Sequence, residues 1–282
     1  MKAAFEVVRC ANTADRRGRA FSLLEVLVAV SIIALLAAVL APVLGSARAQ
    51  ARAVVCSSNI RQLVLANAGY AGDNDGFYVA AAEDMWNNSG LRRWHGVRDN
   101  INQPFDARRG PLAEYLKDGR VKECPDAGEL VKGRGWSVNF EQGCGGYGYN
   151  MAYIGSRLWA VGYSFSDRQA YARTTNMTEI ARPFETLMFA DCAFYQGRRY
   201  LIEYSFAEPR YWVCNGRIWT GSQPSPSIHF RHRGRANVGW ADGHIDSRPM
   251  GYYWRGNDFY AECAEQGLGW FEPVDNSLFD LQ

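Results

Sequence analysis

The chain has 282 residues, 48% of them hydrophobic and 13% aromatic, which is ample for a folded core and excludes disorder as the default state. Residues 1–20 carry five basic side chains (Lys2, Arg9, Arg16, Arg17, Arg19) against Glu6 and Asp15, so the small overall charge hides a basic leader. The rest holds 26 basic and 27 acidic residues, which excludes a general electrostatic attraction for nucleic acid.

The first element is an apolar run from Val26 to Leu44, nineteen residues in which Ser31 is the one polar side chain. At about 1.5 Å per residue such a helix is roughly 28 Å long, the thickness of a bilayer's hydrocarbon core. A secretory signal has a shorter apolar core with small residues at its far end, and the basic residues before this run predict a cytoplasmic N-terminus. Glu25, flanked by Leu23, Leu24 and Val26, stands where an unpaired carboxylate in lipid costs several kcal/mol, so it needs a partner.

The segment Arg19-Ala20-Phe21-Ser22-Leu23-Leu24-Glu25 resembles the processing site of type IV prepilins and pseudopilins. The resemblance covers roughly the first seventy residues and implies cleavage between Ala20 and Phe21 by a prepilin peptidase, with N-methylation of the new Phe21 amine. It also supplies a partner for Glu25: the Phe21 amine of a neighbouring subunit, a pair that forms only on assembly because each charge is too costly to bury alone. Pro42 falls where members of the family carry a helix-kinking proline. The residue before the cut is usually Gly and here is Ala20, which predicts slow cleavage.

After Leu44 the composition shifts. Arg48 and Arg52 lie four apart, and Cys56, Ile60, Leu63, Asn67 and Tyr70 share one helical stripe, so an amphipathic helix should continue to about residue 70 and stop at Asp73-Asn74-Asp75-Gly76. That run begins like a calcium loop but lacks the spacing and the later glutamate of an EF-hand, and a turn explains it better. No cofactor is required, with calcium or another metal as the alternative.

From Phe77 onward the chain is rich in Gly, Trp and Tyr, with short apolar runs such as Thr186-Leu187-Met188-Phe189-Ala190 after Pro183 that read as strands. The fold class expected is α+β, a long N-terminal helix packed on an antiparallel sheet as in pilins, with an enlarged Gly- and aromatic-rich C-terminal region. The expected division is a cleaved leader over 1–20, the long helix over 21–72 with its membrane span at about 26–44, and a β-rich globular domain over 73–282.

The leader contains Cys10, leaving Cys56, Cys124, Cys144, Cys192, Cys214 and Cys263 in the body. No C-x-x-C pair occurs, which argues against a zinc ribbon or thioredoxin-type site and favours disulfides in an exported domain, with unpaired buried thiols as the alternative. Spacing alone fixes no pairing.

Near the C-terminus Val238 and Trp240 alternate with Asn237 and Gly239, and Asp242-Gly243 then supplies a two-residue turn, so a β-hairpin is expected. His232, nine intervening residues and Asp242-Gly243 are similar to the H-X9-DG signature of a group of prepilin-type proteins. Cys56 before Asn59-Ile60-Arg61-Gln62-Leu63, Cys124-Pro125, Tyr147-Gly148-Tyr149-Asn150 and Phe189-Ala190-Asp191 resemble the same group. The signature carries no established chemistry with it and marks kinship alone; these family-like contexts also suggest Cys56 with Cys124 as a disulfide.

A metal or hydrolytic centre could be assembled on paper from His229, His232, Asp242 and His244, but turn geometry accounts for Asp-Gly without chemistry. The glycines over 143–148 read as a loop, and no G-x-S-x-G, Walker or H-E-x-x-H motif occurs. Trp86, Trp94, Trp212, Trp219 and Trp254 could form a carbohydrate platform, with core packing the ordinary reading. Arg231, Arg233 and Arg235 alternate in what should be an extended loop or strand, which reads as a solvated face, with an acidic partner surface or lipid headgroups as the alternative.

The resemblance therefore implies a pseudopilin-like or minor-pilin-like structural subunit and not an enzyme. Its partners would be prepilin peptidase, other pilin or pseudopilin subunits and inner-membrane lipid, with no nucleic acid. It would sit in the inner membrane with a periplasmic C-terminal domain and join a type II secretion or type IV pilus-like filament. The alternative is a membrane-tethered exported protein, binding carbohydrate or metal or acting as an enzyme, that uses the same leader.

Overall fold

The computed structural model describes residues 22–85, 90–130, 141–161, 169–197, 200–214, 216–221, 223–251, 258–273 and 275–282. The chain divides into two compact units, Met1–Ala47 and Arg48–Gln282. One helix, α1 (Leu23–Asp73), contributes to both and continues through Pro42. Ala20 and Phe21 lie outside the described residues.

In the first unit every described side chain up to Leu44 is exposed, including Leu24, Leu27, Ile33, Leu36 and Leu40. Among the described residues α1 is the one helix long and apolar enough to cross a membrane. Its single polar interruption is satisfied locally, because the Ser31 hydroxyl donates to the Leu27 carbonyl at 2.8 Å.

In the second unit α1 buries Cys56, Ile60, Leu63 and Asn67 of the expected stripe, with Asn59, Val64, Ala66 and Ala71 beside them, and leaves Tyr70 half-buried. The helix ends where the sequence runs out of apolar periodicity. Asp75 and Gly76 adopt positive φ of 52° and 83°, and the Gly76 amide donates back to the Ala71 carbonyl at 2.8 Å. The D-N-D-G run is thus a turn: Asn74 caps the Tyr70 carbonyl and Asp73 accepts from the Tyr115 hydroxyl.

The principal sheet has four antiparallel strands. In chain order these are β1 (Tyr147–Tyr149), β2 (Leu187–Asp191), β4 (Arg235–Trp240) and β5 (Ile245–Pro249), arranged β5-β4-β2-β1. The short strand β3 (Ile228–His229) precedes β4 and pairs with Leu268–Gly269. The fold is α+β. All five residues of β2 are buried, as befits a central strand made of Leu-Met-Phe-Ala-Asp.

Gly148 is a strand residue and not part of a loop, a correction with a clear cause. A β-carbon there would lie 2.5 Å from Cys192 Sγ and 2.6 Å from the Phe206 carbonyl carbon, so this position needs glycine to let neighbouring chain approach. Gly239 does the same for α1: a β-carbon would stand 2.6 Å from both Ile60 Cγ2 and Val64 Cγ2. Asn59 and Asn67 fasten the helix further, donating to the hydroxyls of Tyr147 at 3.1 Å and Tyr149 at 3.0 Å.

The expected hairpin is present with a longer turn. Gly239 pairs with Ile245, the Trp240 amide donates to the His244 carbonyl, and the Gly243 amide donates to the Trp240 carbonyl. Gly243 takes φ of 95°, which explains glycine after Asp242.

Candidate functional site

Two places in the chain carry the residues singled out by the sequence. The first is the start of α1. The Glu25 carboxylate accepts from the Ser22 amide at 2.9 Å, and the Ser22 hydroxyl accepts from the Glu25 amide at 3.2 Å. Ser22-Leu23-Leu24-Glu25 is therefore a reciprocal capping box, in which the acidic side chain satisfies an orphan donor at the positive end of the helix dipole. The sequence reasoning gave Glu25 only an intersubunit partner and missed this local one, although S-x-x-E before an apolar run announces it.

This geometry sits inside the matched segment. Residues 15–41 carry the prokaryotic N-terminal methylation motif. The matched segment is similar to a prepilin-type N-terminus, and with the long apolar helix that begins inside it at Leu23 it fits a membrane-anchored protein. No curated protein and no solved structure matches the chain.

The second place is buried in the globular unit. Cys56 on α1, Cys124 in the loop before Pro125, Asp191 at the end of β2 and His232 in the β3–β4 turn point into one spot. Their sulfur, oxygen and nitrogen atoms all lie within 4.8 Å of one another, and this is the one such group among the described residues. The Cys56 thiol donates to Asp191 Oδ1 at 3.0 Å, His232 Nε2 lies 3.3 Å from Asp191 Oδ2, and Cys124 Sγ lies 3.5 Å from His232 Nε2.

Local sequence explains how His232 arrives there. His232 and Arg235 exchange both backbone hydrogen bonds around Arg233 and Gly234, whose φ values are 57° and 78°, a tight hairpin turn of the twist-compatible kind. The six-residue strand β4 follows, and Asp242-Gly243 closes its far end. The nine-residue spacing of the signature is thus one turn, one strand and the approach to the next turn.

A ring of charge fixes the cluster. Arg231 donates from Nη2 to Asp191 Oδ1 at 2.6 Å and from Nε to Cys124 Sγ at 3.4 Å, and the Asn237 amide donates to Asp191 Oδ2 at 2.8 Å. His232 Nδ1 donates to Asp126 Oδ2 at 3.0 Å, and Asp126 also pairs with Arg52. Arg231 corrects the expectation of a solvated basic face: its side chain is 4% exposed because the tight turn directs it inward to Asp191.

Burial pushes the Asp191 carboxyl up, but Arg231 and His232 outweigh it and hold the group at about 2. Burial would likewise depress His232, yet its hydrogen bonds to Asp191 and Cys124 raise it to about 10. Contact with the Cys56 thiol, together with His232 and Arg231, lowers Cys124, whereas burial raises Cys56. One sulfur is thereby disposed to be a thiolate and the other a thiol.

Cys56 and Cys124, suggested above as a disulfide pair, lie close together as free, buried cysteines; Cys144, Cys192 and Cys263 are free and buried as well. The Cys214 side chain lies outside the described residues. The paper centre of His229, His232, Asp242 and His244 does not assemble. Asp242 and His244 pair with each other at 2.6 Å on the exposed hairpin tip, His244 stacks on Trp240, and buried His229 lies 3.2 Å from Arg231. Burial, with Arg231 adding to it, lowers His229 to about 3.

The tryptophans separate in the same way. Trp94 is fully buried and donates to the Ser205 carbonyl, whereas exposed Trp219 faces Trp212 across a two-stranded ribbon. Trp86 and Trp254 lie outside the described residues.

Proposed function

We propose that this chain is a pseudopilin-like or minor-pilin-like structural subunit and not an enzyme. Inserted with its N-terminus in the cytoplasm, it is cut between Ala20 and Phe21 by prepilin peptidase and methylated on Phe21. It then assembles through α1 into a type II secretion or type IV pilus-like filament at the inner membrane.

The observation that carries this reading is the methylation motif over residues 15–41 overlapping a helix that starts at Leu23 and whose apolar side chains stay exposed up to Leu44. Such a surface needs lipid before assembly and neighbouring helices afterwards. The capped Ser22–Glu25 end supports it, because it keeps the helix intact up to the residue after the proposed new N-terminus. Glu25 would then exchange or share its amide partner with the Phe21 amine of an adjoining subunit.

N-terminal mass spectrometry of the protein extracted from membranes is the direct test. A start at methylated Phe21 supports the reading, and an intact Met1 overturns it.

A further inference from the structure

Four donors from four separated segments converge in a site that contains more ligating chemistry than a structural hydrogen-bond network requires. A tetrahedral zinc centre with ordinary Zn–S, Zn–N and Zn–O lengths has ligand-to-ligand edges of roughly 3.4–3.8 Å. The separations of 3.5 Å between Cys124 Sγ and His232 Nε2 and 3.3 Å between His232 Nε2 and Asp191 Oδ2 match that figure. Cys56 Sγ faces the other carboxylate oxygen, Oδ1, at 3.0 Å, a hydrogen bond that a cation held by Oδ2 would replace.

We propose that Cys56, Cys124, Asp191 and His232 form a closed, structural zinc site that staples α1 to the end of β2 and the β3–β4 turn.

The surroundings supply what such a site needs. His232 gives Nδ1–H to Asp126, the carboxylate–histidine arrangement that fixes a ligating ring and turns Nε2 toward the metal. Asp191 is held through Oδ1 by Arg231 and through Oδ2 by the Asn237 amide, so its carboxylate is oriented before any ion arrives. Two sulfurs, one imidazole and one carboxylate suit zinc better than calcium or magnesium, which prefer oxygen alone.

Charge balances as well. Binding replaces the Cys56 Sγ–H and His232 Nε2–H protons, which leave to solvent, by one divalent cation bonded to two sulfurs, one nitrogen and one oxygen. The net charge of the cluster is unchanged, and Arg231 offsets the third anionic ligand. A surface cleft lined by Arg52, Pro125, Asp126, His229 and Arg231 reaches His232, the one of the four donors on its wall. With four protein donors the site has no open position, so its role is stability and not hydrolysis. It is independent of how the N-terminus is processed.

A Cys56–Cys124 disulfide is the competing outcome. The test uses the full-length protein, extracted in detergent, reduced and freed of metal, then titrated with Co2+ and Zn2+. One equivalent of Co2+ should give thiolate-to-cobalt charge transfer and tetrahedral ligand-field bands, and one equivalent of Zn2+ should abolish them. Cys56→Ser, Cys124→Ser, Asp191→Asn and His232→Ala should each weaken zinc binding by roughly 100-fold or more. Asp126→Asn, less disruptive because its side chain reaches the surface, should weaken it by about tenfold with an unchanged circular dichroism spectrum. The proposal is overturned if the wild-type protein binds no Co2+, if the bound ion lacks the thiolate band, or if protein taken from its own membrane holds a Cys56–Cys124 disulfide and no zinc.

Discussion

Arg231 and Asp191 form a buried ion pair, Nη2 to Oδ1 2.6 Å, with side chains 4% and 0% exposed. Neither charge has water to fall back on, so the pair is worth most when one member is missing. Arg231→Ala should cost about 3–5 kcal/mol in urea denaturation, the penalty for a carboxylate left buried beside fewer donors. Arg233→Ala, two residues on and exposed, should fall within about 0.5 kcal/mol of wild type. In metal-free protein the double variant Arg231→Met with Asp191→Asn should recover part of the loss, since it removes both charges. Equal costs for Arg231→Ala and Arg233→Ala would contradict the burial of this pair.

Packing of α1 on the sheet rests on a strand position without a side chain. Gly239→Ala would bring a β-carbon to 2.6 Å from Ile60 Cγ2 and Val64 Cγ2, a clash that should cost about 1–3 kcal/mol. Adding Val64→Ala removes one of the two colliding methyls, so the double variant should be more stable than the sum of the two single changes. Strict additivity in denaturation midpoints would show that the helix and strand do not meet at these residues.

The long helix was legible because its signals are local. A nineteen-residue apolar run, then a stripe through Cys56, Ile60 and Leu63, then Asp75-Gly76 needing positive φ, each depends only on near neighbours. The hairpin was legible for the same reason. The basic run at 231–235 is misleading because its alternation suggests extended chain, whereas Arg233-Gly234 is a tight turn and the strand begins only at Arg235. Cys56, Cys124, Asp191 and His232 each stand in a distinctive stretch of chain. What no stretch contains is the pairing of β2 with β4 and the seat of α1 beside them, which is what brings the four together.

Glu208 gives the fold a pH dependence of definite sign. Its Oε1 accepts from the Tyr204 hydroxyl at 2.9 Å, while Oε2 is buried without a hydrogen-bond partner among the described residues. Burial pushes the carboxyl up from the usual 4.5 to about 7, with the Tyr204 bond pulling partly back. Below 4.5 the group is protonated folded or unfolded. Between 4.5 and 7 the unfolded chain has released a proton that the folded chain keeps, so stability falls as pH rises and levels off above 7. The loss should be on the order of 3 kcal/mol across that window. Glu208→Gln should flatten the slope and be the more stable protein at pH 8, measured by urea midpoints from pH 5 to 8. Parallel profiles for the two proteins would remove Glu208 as the source.

Glu25 has two jobs that one substitution cannot separate and two can. Its carboxylate caps α1 through the Ser22 amide, and in the proposed filament it also balances a neighbouring subunit's Phe21 amine. Glu25→Ala removes both the acceptor and the charge, and the cap alone is worth about 1 kcal/mol of helix stability. Glu25→Gln keeps an oxygen for the Ser22 amide but carries no charge to pair with an amine. If charge pairing drives docking, both variants should insert normally into membranes and both should fail to enter the sheared filament fraction. If capping is the whole role, Glu25→Gln should assemble like wild type while Glu25→Ala is impaired. Immunoblots of membrane and filament fractions distinguish these patterns, and normal assembly of both variants would leave Glu25 without the intersubunit role proposed for it.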